Sequence, residues 1–514
     1  MESRVKISKK LVAINSASNV AVWILNAMVL IWLQRYLLKR ISTEEYSIYP
    51  VLASLIVFLP LFTRVFTAGL ARYIVEAYAK GDDRRVTQIV SSIFALLSII
   101  GLLVLIGGLI FARFVDSILT IDPRFVVDAR IMFSLMVISF AFNVMMSPFR
   151  TGFHVRQKFV LLNMIQVGRE LLHIALLFIL LFGVSTRVLW VAVASSSANI
   201  CGVAVITLIG RRLVSALRFR WKRIKWSVAR EVVSFGGWSL IGQLANLIRL
   251  HADLIILNKL GTPLDVTCFH LGSIPLRKIS RLSVRVRQPL SPQLTAMHAT
   301  EKKETLRHVY LTGNRYALWA SMAVTVPLII FAYELVPLWV GNEFIMAATV
   351  GLLLLASFPI LYTNIMMSNI ARAQAKIRSI VSRTIWLQLF NLLLTLYLVG
   401  VRHMGAVGSA LSTFITMTFL YPVFIFPVAF RLVNLKFGTW IRETVFPGLL
   451  PAITGAIVLI LLKIFLKPTT LTLLAVCIML GIITYGLTLI LFCLQPYDRK
   501  QLSYVLSKVR RKPT

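Results

Sequence analysis

Residues 273–292 read SIPLRKISRLSVRVRQPLSP. The stretch carries Arg277, Lys278, Arg281, Arg285 and Arg287 and no acid. On a helix turning about 100° per residue, Arg277, Arg281 and Arg285 drift slowly round one face, and Lys278 falls beside Arg285. The four share an arc of about 100°, while Arg287 points elsewhere. Cations ranked on one face attract oxyanions, and the planar guanidinium fork pairs bidentately with phosphate oxygens. The depth of that face decides its chemistry. Inside a bilayer each central Arg or Lys costs about 2.5–3.5 kcal/mol unless it meets water, a counter-ion or an anionic ligand.

Other groups offer less. Arg249 and Asp253 stand four residues apart, so they share a helical face and form either a structural ion pair or a gating or coupling site. His251 lies between them in sequence but on another face. Asp253, and after it Glu170, are the intramembrane acids able to neutralise nearby cations. Arg72 and Glu76 form an inner-surface pair, and His173 and His270 are expected in polar contacts or packing. Asn15, Asn19 and Asn26 either line a cavity or join helices by hydrogen bonds. Cys201, Cys268, Cys477 and Cys493 sit singly in apolar segments and are expected to pack. The sequence offers no nucleophile–base pair, metal-ligand cluster or glycine-rich phosphate loop, so neither enzyme nor cofactor is expected; coupling to a proton or sodium gradient stays open.

The surrounding elements decide whether 273–292 crosses a membrane. Hydrophobic residues make up 58% of the 514, and the formal net charge is +36. The first figure excludes a soluble domain, and the two together exclude a nucleic-acid binder. Apolar segments long enough to cross roughly 30 Å of hydrocarbon recur near 11–34, 47–70, 88–112, 131–149, 160–183, 189–210, 234–258, 266–292, 316–333, 346–371, 384–400, 406–430, 446–462 and 470–494. With both termini inside, inner segments such as RRLVSALRFRWKRIKW (211–226) hold most of the 55 Lys and Arg. The outer connection 334–345 has none, and 259–265 has only Lys259. Removing the span at 266–292 inverts this pattern over the C-terminal half. A span ending before Arg277 also holds only about eleven residues, too few to cross. The charged stretch therefore crosses, with Arg277 some 16 Å deep and Arg285 nearly 30 Å at about 1.5 Å per residue. Arg285 and Arg287 lie close enough to the inner headgroups to snorkel.

An internal repeat supports the same topology. Shifted by 220, STEEYSIYPVLAS (42–54) meets TPLDVTCFHLGSI (262–274), and IFARFVDSILTIDPRFV (110–126) meets IFAYELVPLWVGNEFI (330–345). Arg64 maps to position 284, beside Arg285, so both halves place a cation at similar depth. The expected fold is an all-α polytopic membrane protein of about fourteen helices: two parallel six-helix lobes round a central cavity, and two added helices. The expected divisions are 1–215, 216–432, 433–495 and a basic tail, 496–514.

Several passages resemble the polysaccharide and oligosaccharide-lipid flippases of the multidrug/oligosaccharidyl-lipid/polysaccharide exporter superfamily. LQRYLLKRISTEEYSIYPVLASL resembles their first-to-second-helix junction, although Ser47 stands where a Gly is common. AGLARYIVEAYAKGDDRRVTQIVSS is similar to the next linker, VVSFGGWSLIGQLANLIRLHADLIILNKLG to the seventh helix with its Asp253, and GAVGSALSTFI to the twelfth. The resemblance implies alternating access in a bacterial cytoplasmic membrane. It also implies a polyprenyl-diphosphate-linked glycan as substrate, with membrane lipids and other polysaccharide-assembly proteins as partners. A cavity made basic by Arg64, Arg277, Lys278, Arg281 and Arg285 suits a diphosphate and argues against the superfamily's cation exporters. The alternatives are an ion-coupled exporter of small organic ions or a lipid II flippase. A membrane glycosyltransferase needs a large extramembrane domain and carboxylate-rich motifs, and neither is visible.

Overall fold

The computed structural model describes residues 29, 32–57, 59–60, 70–156, 158–234, 251–287, 303–374, 377–495 and 498–499. These residues form helices and connections, with no strand among them. Two compact units divide the chain, Met1–Thr267 and Cys268–Thr514.

In the first unit the main helices are α1 (Thr43–Ile56), α2 (Leu70–Ala79), α3 (Asp83–Arg113), α4 (Val126–Met146), α5 (Phe159–Gly183) and α6 (Leu189–Leu213). Asp82 starts α3 by accepting the Arg85 N–H at 2.8 Å, after a turn made by Gly81 at φ 73°. One face of α3 is buried through Val86, Ile89, Val90, Ile93 and Leu97, packed with Leu70, Ile74 and Leu217. Its C-terminal half exposes Ile99, Leu102, Leu103, Ile106 and Ile110. Only lipid makes such a band stable, because a row of exposed large aliphatics is costly in water.

The second unit contains α8 (Lys303–Ile330), α9 (Ala332–Trp339), α10 (Met346–Ala356), α11 (Ile377–Leu396), α12 (Gly405–Ile415), α13 (Phe446–Leu466) and α14 (Leu471–Thr488). Its core joins Leu306, Tyr310, Met366, Ile370, Phe426 and Trp440. The sequence places the ninth span at 316–333, whereas α8 begins at Lys303 and gives way after Ile330 to α9, at a 75° bend. Phe331 stands at the break with φ −100° and ψ 17°. The expected span 346–371 is likewise interrupted after Ala356, where Pro359 has no N–H to continue the ladder.

Among the described residues eight helices are long and apolar enough to cross a membrane, or nine if the bent α8–α9 pair is one span. The spans expected at 11–34 and 234–258 fall largely outside the described residues, so the count of fourteen is not fixed here. All four cysteines are free, three of them buried and Cys201 exposed.

The 220-residue repeat reappears in the helix starts. The helix α7 (Pro263–Arg287) begins 220 residues after α1. The caps repeat too: Ser42 Oγ accepts the Glu45 N–H at 3.2 Å, and Thr262 Oγ1 accepts the Asp265 N–H at 3.1 Å.

Candidate substrate-binding helix

The charged stretch lies on α7, a single helix of 25 residues. At about 1.5 Å per residue it is roughly 37 Å long, enough to cross the hydrocarbon core. It starts three residues before the expected boundary because of a reciprocal cap. Asp265 Oδ2 accepts the Thr262 N–H at 2.9 Å and its hydroxyl at 2.7 Å, while Thr262 Oγ1 caps Asp265.

Gly272 allows α7 to pack tightly on α10. A Cβ there would stand 2.7 Å from the Ala347 carbonyl oxygen and 2.9 Å from the Gly351 nitrogen, so any side chain would push the helices apart. Three residues on, Pro275 lies inside the helix and supplies no N–H to the Leu271 carbonyl. The adjacent His270 carbonyl collects side-chain donors instead: Ser273 Oγ at 3.0 Å and Arg277 Nη2 at 2.9 Å. Arg277 Nη2 also lies 3.1 Å from His270 Nδ1. Arg277 has no lone pair to offer, so this contact requires a neutral imidazole with its proton on Nε2. One turn below the cations, Ser283 Oγ and the Tyr362 hydroxyl are 2.7 Å apart.

Arg277 and Lys278 are half-buried on this helix. Arg281 and Arg285 occupy its next two i, i+4 positions, with their side chains outside the described residues. Arg64 and Arg249 lie outside the described residues altogether, as do the side chains of Arg72 and Glu76 and the segment holding Asn15, Asn19 and Asn26. Asp253 and His251 are buried on the helical segment 251–260. Glu170 pairs with its neighbour Arg169 at 2.8 Å, and His173 Nδ1 stands 4.0 Å from it. The structure thus places Arg277 and Lys278 together on one crossing-length helix, and gives no geometry for the Arg249–Asp253 pair.

Acids gather at one end of the first unit. Asp116 binds Arg130 at 2.9 Å, Asp122 binds Arg124 at 2.8 Å, and Asp128 is 3.8 Å from Arg187. The Arg124 guanidinium holds the Asp122 carboxyl down at about 2. Glu45 accepts the Val188 N–H at 2.8 Å, yet burial pushes its carboxyl above the ordinary range.

Two groups are not singled out by the sequence. Arg315 on α8 and Asp498 beyond α14 form an ion pair at 2.8 Å, with side chains 1% and 2% exposed. The partners are too far apart in the chain for helical spacing to signal them, and Asp498 opens a basic tail. The second group is a polar stripe of Ser139 and Asn143 on α4 and Ser147 just past its end, lining one cavity with Ser195 and Asn199 of α6. Its i, i+4, i+8 spacing on an otherwise apolar helix was the available signal.

Residues 8–282 match the family described as Polysaccharide biosynthesis protein. The membrane protein EpsK of Bacillus subtilis (strain 168) is 22% identical over 425 residues, covering 80% of this chain and 81% of EpsK. Among solved structures, the inward closed conformation of the lipid II flippase MurJ is similar with a TM-score of 0.68 at 12% identity, covering 92% of this chain and 97% of MurJ. An inward-facing multidrug resistance transporter of the MATE family, in the MOP superfamily, is similar with a TM-score of 0.63 at 14% identity, covering 82% of this chain and 95% of the transporter. With more than half its length inside the family match and the all-helical fold shared with MurJ and MATE proteins, this multi-pass membrane chain belongs to the polysaccharide biosynthesis protein family.

Proposed function

We propose that the chain is a flippase that moves a polyprenyl-diphosphate-linked oligosaccharide from the cytoplasmic to the outer leaflet by alternating access, for cell-surface polysaccharide assembly. The observation that carries this reading is α7: a helix of crossing length with Arg277 and Lys278 half-buried on it and Arg281 and Arg285 in register below. Cations ranked along one face attract oxyanions, and the guanidinium fork suits the oxygens of a diphosphate. Arg64 belongs to the same proposed site, and Arg249 with Asp253 to gating or coupling. Lipid II carries the same diphosphate handle and is the second substrate to test, favoured by the likeness to MurJ. An ion-coupled exporter of organic cations would need acids where α7 presents bases.

The chain works without a catalytic step in this proposal. It sits in the bacterial cytoplasmic membrane with both termini inside, among membrane lipids and other polysaccharide-assembly proteins. The ion-paired end of the first unit that holds Asp116, Asp122 and Asp128 then faces outward. Cysteine tags at 262–265 are expected to label from outside and tags at 298–304 from inside. Labelling of both from one side would show that α7 does not cross.

Purified protein in liposomes is expected to move a labelled polyprenyl-diphosphate saccharide faster than protein-free vesicles do. High salt should weaken binding, though less than at exposed charges, because recessed sites are screened less. Movement of an organic cation with the diphosphate lipid left in place would overturn the proposal in favour of the exporter.

A further inference from the structure

The first unit carries an open cleft of about 520 Å³ between α1, α4 and α6. That lies within the range of roughly 300–1,000 Å³ usual for small-molecule sites. Its polar lining comes from Tyr49, Ser139, Asn143, Ser147, Ser195, Ser196 and Asn199, and none of the described lining residues carries a charge. Hydrogen bonds already orient part of this wall. Asn199 Nδ2 donates to Ser139 Oγ at 2.8 Å. Ser195 Oγ donates to the Ala192 carbonyl at 3.1 Å, leaving its lone pairs able to accept. Ser147 Oγ, on the same stripe, is buried without a partner among the described residues. Asn143 is exposed to the cavity. The rest of the lining is apolar, with Phe140 beside the polar groups.

We infer that this cavity binds the sugar portion of the transported lipid. Hydroxyl and amide groups at membrane depth are costly unless something hydrogen-bonds to them. The lining excludes the other occupants by chemistry. Among the described lining residues none is ionised, and Arg169, which reaches the wall through Asn199 Oδ1 at 3.5 Å, is already paired with Glu170, so neither a diphosphate nor an organic cation meets a free counter-charge on this lining. A polyprenyl tail would strand the hydroxyls and amides. A neutral, polyhydroxylated ring meets both kinds of wall: its hydroxyls exchange hydrogen bonds with Ser, Asn and Tyr, and its C–H face packs on the aromatic rings. The site would read the glycan without contributing to the attraction of the diphosphate.

This inference rests on the flippase reading, and the experiment separates the two. Three labelled probes are compared in liposomes: bare polyprenyl diphosphate, the same lipid carrying one N-acetylhexosamine, and the same lipid carrying one hexose. The wild type is expected to favour at least one glycosylated probe over the bare lipid. In Asn143→Leu and Asn199→Leu that ratio should fall about fivefold, the scale of one or two neutral hydrogen bonds. Asn143→Cys, which tests the site without transport, should be protected from maleimide by the favoured glycosylated lipid and not by the bare one. Equal movement of all three probes overturns the sugar site and leaves the flippase reading standing. Movement of none overturns both. A ratio unchanged in both variants, or absent protection of the cysteine, shows that the cavity holds only water.

Discussion

Replacing Arg277 by alanine is expected to abolish complementation of a strain lacking the chain, while the protein still reaches the membrane. The size follows from the contact removed. A hydrogen bond to a charged group contributes about 1.5–3 kcal/mol, so one lost contact slows movement of the diphosphate lipid by roughly 10–150-fold. The structure supplies the control. Arg277 also donates to the His270 carbonyl beside Pro275, so its loss removes a local brace as well as a charge. His270→Ala removes the Nδ1 contact but leaves the guanidinium and the backbone carbonyl in place. It should retain most transport. If His270→Ala is as damaging as Arg277→Ala, the arginine acts by holding the helix and not by meeting the lipid. At Arg281, lysine should rescue only part of the activity lost in Arg281→Ala, because an ammonium lacks the bidentate fork. Full activity in both alanine variants would remove α7 from the substrate path.

The charged helix was legible because two independent signals agree on it. The charge rule demands a crossing at 266–292, and the 220-residue offset pairs it with an apolar span. Its upper boundary was the part missed, because the cap at Thr262 lies in a loop that hydropathy reads as polar. The bend between α8 and α9 was not legible. AYELVPLWVG has the composition of an outer connection, and its helicity rests on packing that sequence does not show: Ala332 and Val336 are buried, and Phe331 joins Leu459, Leu474 and Cys477 in a small core. The sugar cavity was half legible. The stripe Ser139–Asn143–Ser147 is visible at helical spacing, but its facing wall on α6 comes from a separate helix whose rotation only tertiary packing sets. Arg315 and Asp498 were not legible at all, since each reads as an ordinary charge near an inner membrane surface.

That pair carries the last expectation. Arg315 is held through its terminal nitrogens and its flat face: Nη2 reaches both Asp498 oxygens at 3.1 and 2.8 Å, Nη1 donates to the Glu443 carbonyl at 3.0 Å, and the guanidinium carbon lies 5.8 and 5.4 Å from the Tyr316 and Trp319 ring centres. Asp498 further accepts from the Tyr316 hydroxyl and from the Gln495 N–H, so it ties the segment after α14 to the middle of α8. Arg315→Met keeps the volume and the ring contacts but leaves the carboxylate buried beside no cation. Breaking a buried pair from one side costs about 3–5 kcal/mol, whereas replacing both partners by apolar groups is often neutral. Arg315→Met should therefore lower the thermal midpoint of the detergent-purified protein strongly, and Arg315→Met with Asp498→Leu should recover most of the loss. Exchanging the two residues should fail to rescue, because a carboxylate at 315 would face ring faces and the Glu443 carbonyl, all electron-rich. Asp498→Asn should cost less than Arg315→Met, since Arg315 keeps the carbonyl and both rings. Size-exclusion profiles after graded heating measure all four variants. If Arg315→Met alone is as stable as the double replacement, the two residues are not coupled and the tail is held by its apolar contacts.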